Sequence, residues 1–108
     1  MAIKWTDGNY NVAILEIDTA ITHGVKTEIG TADDYRRLRK LSENAGIFRV
    51  TAKIDGAVMY GACNANVFPT GIDFGCVSNV SDTPTAISGT IVEETGKMYV
   101  TINVTVLS

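Results

Sequence analysis

Apolar and polar residues alternate almost without interruption over residues 47–80, and two turn signals cut that stretch into three. The pattern predicts three antiparallel strands, a meander around which the rest of the chain is arranged. Asp55-Gly56 separates two alternating runs. A type I′ turn needs positive φ at both central residues, which glycine adopts freely and aspartate tolerates. A turn there sets Ile54 against Ala57, Ala52 against Met59, Val50 against Gly61 and Phe48 against Cys63. The second reversal falls in Phe68-Pro69-Thr70-Gly71, where proline presets φ and glycine lets the chain turn back. Centred on Pro69-Thr70, it sets Val67 against Ile72, Ala65 against Phe74 and Cys63 against Cys76.

Both registers bury the same face. Phe48, Val50, Ala52, Ile54, Met59, Cys63, Val67, Ile72, Phe74 and Cys76 point one way. Arg49, Thr51, Lys53, Asn64, Asn66, Asp73 and Asn79 point the other, with Val58, Tyr60 and Val77 among them. A slip of one residue at either turn would put Phe and Val of one strand in water, so the agreement fixes the pairing.

The flanking segments are read the same way. Residues 1–10 are irregular, with a turn cluster at Asp7-Gly8-Asn9. Residues 12–17 are an Ile/Val-rich run of strand length. After a loop at Thr22-His23-Gly24, Val25, Thr27 and Ile29 alternate with Lys26 and Glu28, which predicts another strand. One helix is expected over about residues 32–45. Thr31 is its N-cap and Asp34 completes an acidic capping box. Asp33 and Asp34 sit at its positive end, and Arg39 and Lys40 lie towards its negative end. Tyr35, Leu38, Leu41 and Ala45 make its apolar stripe, and Gly46 ends it. Past a loop at residues 81–84, residues 86–92 and 98–107 form a terminal hairpin, with Gly96 in a longer, bulged turn.

The expected fold is therefore mainly β (α+β): an antiparallel sandwich or barrel of about seven strands with one helix. A helix is about 10 Å wide and covers only about two strands at roughly 4.8 Å spacing. The rest of the apolar face must be covered by the sheet curling over, with the helix plugging one end, or by a second copy of the chain. At 108 residues the chain is long enough for one domain with its own core.

Composition narrows the function classes. A formal charge of −3 argues against nucleic acid as a partner. No apolar run is long enough to span a bilayer and the N-terminus carries no basic-then-apolar leader. A chain that stays in the cytoplasm where it is made, or leaves without a cleaved signal, is the expectation. The two Asn-X-Ser/Thr sequons, at Asn79 and Asn103, are read as chance.

Candidate chemistry is sparse. His23 is the only histidine, so it has no zinc partner of its own kind, and it is read as an exposed loop residue. Cys63 and Cys76 lack the close spacing of a zinc or redox motif. They are read as a pair of reduced core residues or, since they face each other across the hairpin, as a disulfide. Arg36, Arg37, Arg39 and Lys40 are read as a solvated helix face. No GxSxG, HExxH, GxxxxGK or GxGxxG motif occurs, and no cofactor is implied.

These features favour a non-enzymatic structural or interaction module whose partner is itself, as a homo-oligomer, or another structural protein. Its general character is similar to that of small β-rich virion components, such as head or tail decorations of bacteriophages. Surface binding would use Tyr60, Asn64, Asn66, Tyr99 and Asn103. The alternative is a small-molecule-binding barrel or small enzyme, with a pocket inside the sheet near Tyr35, Met59 and Cys63 and a buried carboxylate such as Glu16.

Overall fold

The computed structural model describes residues 3–6, 13–45, 47–80 and 83–107. The elements run β1 (Ile3–Thr6), β2 (Ala13–Ile17), β3 (Thr27–Thr31), α1 (Ala32–Ala45), β4 (Ile47–Ile54), β5 (Ala57–Phe68), β6 (Gly71–Val80), β7 (Thr83–Glu94) and β8 (Lys97–Val106). All eight strands share one hydrogen-bonded sheet in the order β1-β2-β4-β5-β6-β7-β8-β3. The fold is mainly β, with one helix among the described residues. The sheet folds over so that its two halves face each other as in a sandwich, and among the described residues no strand ladder closes it into a barrel.

The meander has the registers that the alternation predicts. Ile54 pairs with Ala57 and Phe48 with Cys63 across the first hairpin. Val67 pairs with Ile72 and Ala65 with Phe74 across the second. Asp55 and Gly56 have φ of 50° and 85°, the signature of a type I′ turn. Val50, Ala52, Ile54, Met59, Cys63, Ile72 and Phe74 are buried, while Arg49, Thr51, Lys53, Asn64, Asn66 and Asp73 are exposed. Gly71 is needed for space rather than for reversal. A Cβ there would lie 2.7 Å from the Ile91 carbonyl oxygen on β7.

Several expectations are corrected. Residues 3–6 pair antiparallel with β2 instead of being irregular, so the described residues hold one strand more than the seven expected. The sheet is not purely antiparallel: β2 lies parallel to β4. β3 begins at Thr27, which leaves Val25 outside it and 51% exposed. A bulge between Glu28 and Gly30 turns Ile29 fully inward. The last hairpin has a two-residue turn, Thr95-Gly96, with φ of 52° and 82°. It is a second type I′ turn rather than a bulged one, and Glu94 pairs directly with Lys97. The helix has no base in its last turn, since Arg39 and Lys40 sit mid-helix. Asp7-Gly8-Asn9, Gly46 and the loop residues Ser81 and Asp82 lie outside the described residues.

The capping box of α1 forms. The Asp34 carboxylate accepts from the Thr31 backbone N–H at 2.9 Å, and the Thr31 hydroxyl accepts from the Asp34 N–H at 3.2 Å. The helix touches β2, β3, β4, β5, β7 and β8. Its first N–H donates to the Gly96 carbonyl in the β7–β8 turn. The Arg39 guanidinium donates to the Phe68 carbonyl, at 2.7 Å, and to the Tyr35 hydroxyl, and it also pairs with Glu43. Both turns lie at the same end of the strands, so α1 plugs that end. Leu38 is fully buried there, next to a core of Leu15, Ile29, Ile72, Ile91, Met98 and Val100. Each such side chain contributes about 1.5–3 kcal/mol of apolar burial.

Candidate functional site

The end of the sheet opposite the helix is finished by loop chemistry. There β4 and β8 approach each other without pairing, and residues 21–24 bridge them. The Ile21 N–H donates to the Lys53 carbonyl and the Asp55 N–H donates to the Ile21 carbonyl, both at 2.9 Å. Three residues on, the Gly24 N–H donates to the Ile102 carbonyl of β8 at 2.9 Å. His23 holds both sides. Its backbone N–H donates to the Asp55 carboxylate at 3.2 Å, and its ring Nδ1 accepts from the Val104 N–H at 2.9 Å. Accepting at Nδ1 places the imidazole proton on Nε2. His23 is exposed, as expected, but it is also a structural tie.

Inside this rim is an open pocket of about 270 Å³ lined by Ile54, Asp55, Ala57, Met59, Thr85, Val104 and Val106. Asp55, which the sequence marked only as a turn residue, is its one charged wall. Val106, on the inward side of β8, is 64% exposed at the mouth. On the outer face nearby, Val77 is 68% exposed opposite Ala86. Leu107 is 43% exposed beside Pro84, and Val58 is 58% exposed just past the Asp55-Gly56 turn. Four of the six exposed large apolar side chains among the described residues thus gather at this end. The other two are Val25 and Phe68.

Where the described residues line the interior expected to hold a ligand, little space is left. The cavity reaching Met59 and Cys63 is about 10 Å³, room for one water molecule at most. Tyr35 is half-buried at the plugged end, where its hydroxyl accepts from Arg39. Glu16 alternates with buried Leu15 and Ile17 and lies between Lys4 and Thr51 in the ladders, on the face away from the core.

The surface candidates do not converge. Asn64, Gly75, Ser88 and Asn103 form one cross-strand row on the outer face, and Asn66, Asp73, Thr90 and Thr101 form the next. Asn64, Asn66 and Asn103 are exposed. Three strand spacings, roughly 14 Å around the sheet, separate Asn64 from Asn103. Tyr99 is half-buried, with the Lys26 ammonium 5.1 Å from its ring centroid, and Lys26 also pairs with Glu94. The Tyr60 backbone pairs with Thr51 on β4, and its side chain is outside the described residues. The result is a polar strip of amides and hydroxyls, not a cleft.

Cys63 and Cys76 are both free thiols that line the small interior cavity, 2.9 Å apart at sulfur. Burial first, then the hydrogen bond to Cys76, pushes the Cys63 thiol above its ordinary range. Of the basic run, Arg36 pairs with Asp33 on the helix surface, while Arg39 anchors the β5–β6 turn. Among the described residues, no three His, Cys, Asp or Glu side chains group as metal ligands, and no helix is long and apolar enough to cross a membrane. The chain matches no protein-family model, no curated protein and no solved structure.

Proposed function

We propose that this chain is a non-enzymatic structural or interaction module that acts through its open end, by self-association or by docking on another structural protein. The observation that carries the reading is the gathering of Val58, Val77, Val106 and Leu107 at one end of the molecule. Single exposed valines are ordinary on a protein surface, but several at one end, with Val106 at the pocket mouth and Val58, Val77 and Leu107 outside it, make a patch suited to a partner. The setting we propose is a virion, as a head or tail appendage of a bacteriophage. That setting rests on the short, strand-rich chain. Neighbouring genes that encode no virion proteins would remove it.

The test of the module itself is sedimentation velocity from low to high micromolar concentration, on the native chain and on Val77→Ser combined with Val106→Ser. Association that weakens in the double variant supports the open end. A monomer throughout that also captures no structural partner in a pull-down, with the same variant as control, counts against it. The alternative, small-molecule binding, would use the mouth near Asp55, where the pocket is about 270 Å³, rather than the space of about 10 Å³ beside Met59 and Cys63.

A further inference from the structure

We propose that Cys63 and Cys76 form a thiol–disulfide switch, closing an intramolecular bond that staples β5 to β6 when the chain meets a small-molecule disulfide such as oxidised glutathione. The last paired residues of these strands on this side are Asn64 and Gly75, and one step further in the same register Cys63 stands opposite Cys76. Directly opposed residues of antiparallel strands have Cα atoms about 4.5–5.5 Å apart, inside the range of about 4.4–6.8 Å that a disulfide spans. Both thiols point inward, and the sulfurs lie 2.9 Å apart. That is closer than even two carbon atoms pack, at about 3.5–4.0 Å. Reaching bonding distance takes a further shift of about 0.9 Å. The small cavity against both side chains leaves room for it.

Access differs between the two thiols. Cys63 is buried and Cys76 is half-buried. As the more exposed of the two, Cys76 is the entry point. Its thiolate attacks one sulfur of oxidised glutathione, the glutathione S–S bond breaks, and one glutathione thiolate leaves with the bonding pair. Cys63 then loses its proton to water and attacks the Cys76 sulfur, expelling the second glutathione thiolate. In sum, two protein thiols are oxidised by two electrons to one disulfide, and one oxidised glutathione is reduced to two thiols. The second step requires the Cys63 thiolate, so the rate rises with pH.

The reduced chain, equilibrated in mixtures of oxidised and reduced glutathione, tests this by intact mass and thermal melting. We expect the mass to fall by two hydrogens with no glutathione adduct, and Tm to rise by roughly 5–15 °C. Residues 64–75 contain no Lys or Arg, so the bond is mapped by cleavage after Phe74, which leaves two peptides joined only through the sulfurs. Cys63→Ala should instead retain glutathione on Cys76 and gain no Tm. The proposal is overturned if both thiols of the folded native chain stay free in the most oxidising mixture while the urea-unfolded chain is oxidised. It is also overturned if the products are glutathione adducts or linked dimers instead of the internal bond.

Discussion

The two ends of the curled sheet solve the same problem by different means. At the plugged end, α1 buries Leu38 against the strand interior and ties both turns down through Ala32 and Arg39. At the open end, residues 21–24 span the gap with single hydrogen bonds, and the apolar rim stays in water. Apolar burial scales with area and is available only where an element is wide enough to cover the core. A four-residue bridge can pair backbone groups, but it cannot cover side chains. The end without a helix is therefore where unsatisfied apolar surface collects, and where a partner would gain most.

This contrast can be broken most directly at Leu38. Leu38→Ala should cost about 2–5 kcal/mol in urea denaturation. Val106→Ala at the other rim should stay within about 0.5 kcal/mol. Comparable costs would mean that the helix is not a plug. Between the ends, Cys63 reports whether the interior is dry. Its thiol is raised above the ordinary 9.0 on folding, so the protonated form is favoured in the folded chain. That contribution is complete below about pH 9 and is lost as pH rises towards the folded value. Under reducing conditions, native stability should fall above pH 9 more steeply than that of Cys63→Ala, by up to about 1.4 kcal/mol per pH unit. Equal slopes would mean that water reaches the sulfur.

Smaller effects sharpen the picture further. Thr31→Ala removes the N-cap of α1 and should cost about 1 kcal/mol, with loss at the plugged end only. Ser42 Oγ is buried on the same helix with no partner among the described residues. Ser42→Ala should therefore be neutral or stabilising by up to about 1 kcal/mol, and a cost above that range would reveal a bond to the hydroxyl. His23→Ala removes the acceptor of the Val104 N–H and should cost about 0.5–1 kcal/mol. Its sharper readout is hydrogen exchange, with the Val104 amide opening faster while amides near α1 are unchanged. Protection that is lost evenly across the sheet would show that the two ends unfold together.

What the chain determined by itself was local. Strand alternation has a period of two, so Asp55-Gly56 and Pro69-Thr70 were enough to set the pairing of β4, β5 and β6. The cap at Thr31 and Asp34 was legible because capping chemistry acts within one helical turn. The sequence put the polar residues Asn64, Asn66 and Asn103 on the outward face, where they are exposed, and it brought Cys63 to Cys76. The mouth was invisible, because Asp55, Thr85 and Val106 meet only once distant strands curl together. The same holds for the parallel pairing of β2 with β4, the docking of β3 on β8 and the His23 tie to Val104. Period and turn chemistry say which face a residue takes, but they carry no record of which strand, far along the chain, will arrive beside it. That choice is made by covering the whole apolar surface at once, and only the assembled sheet could make it.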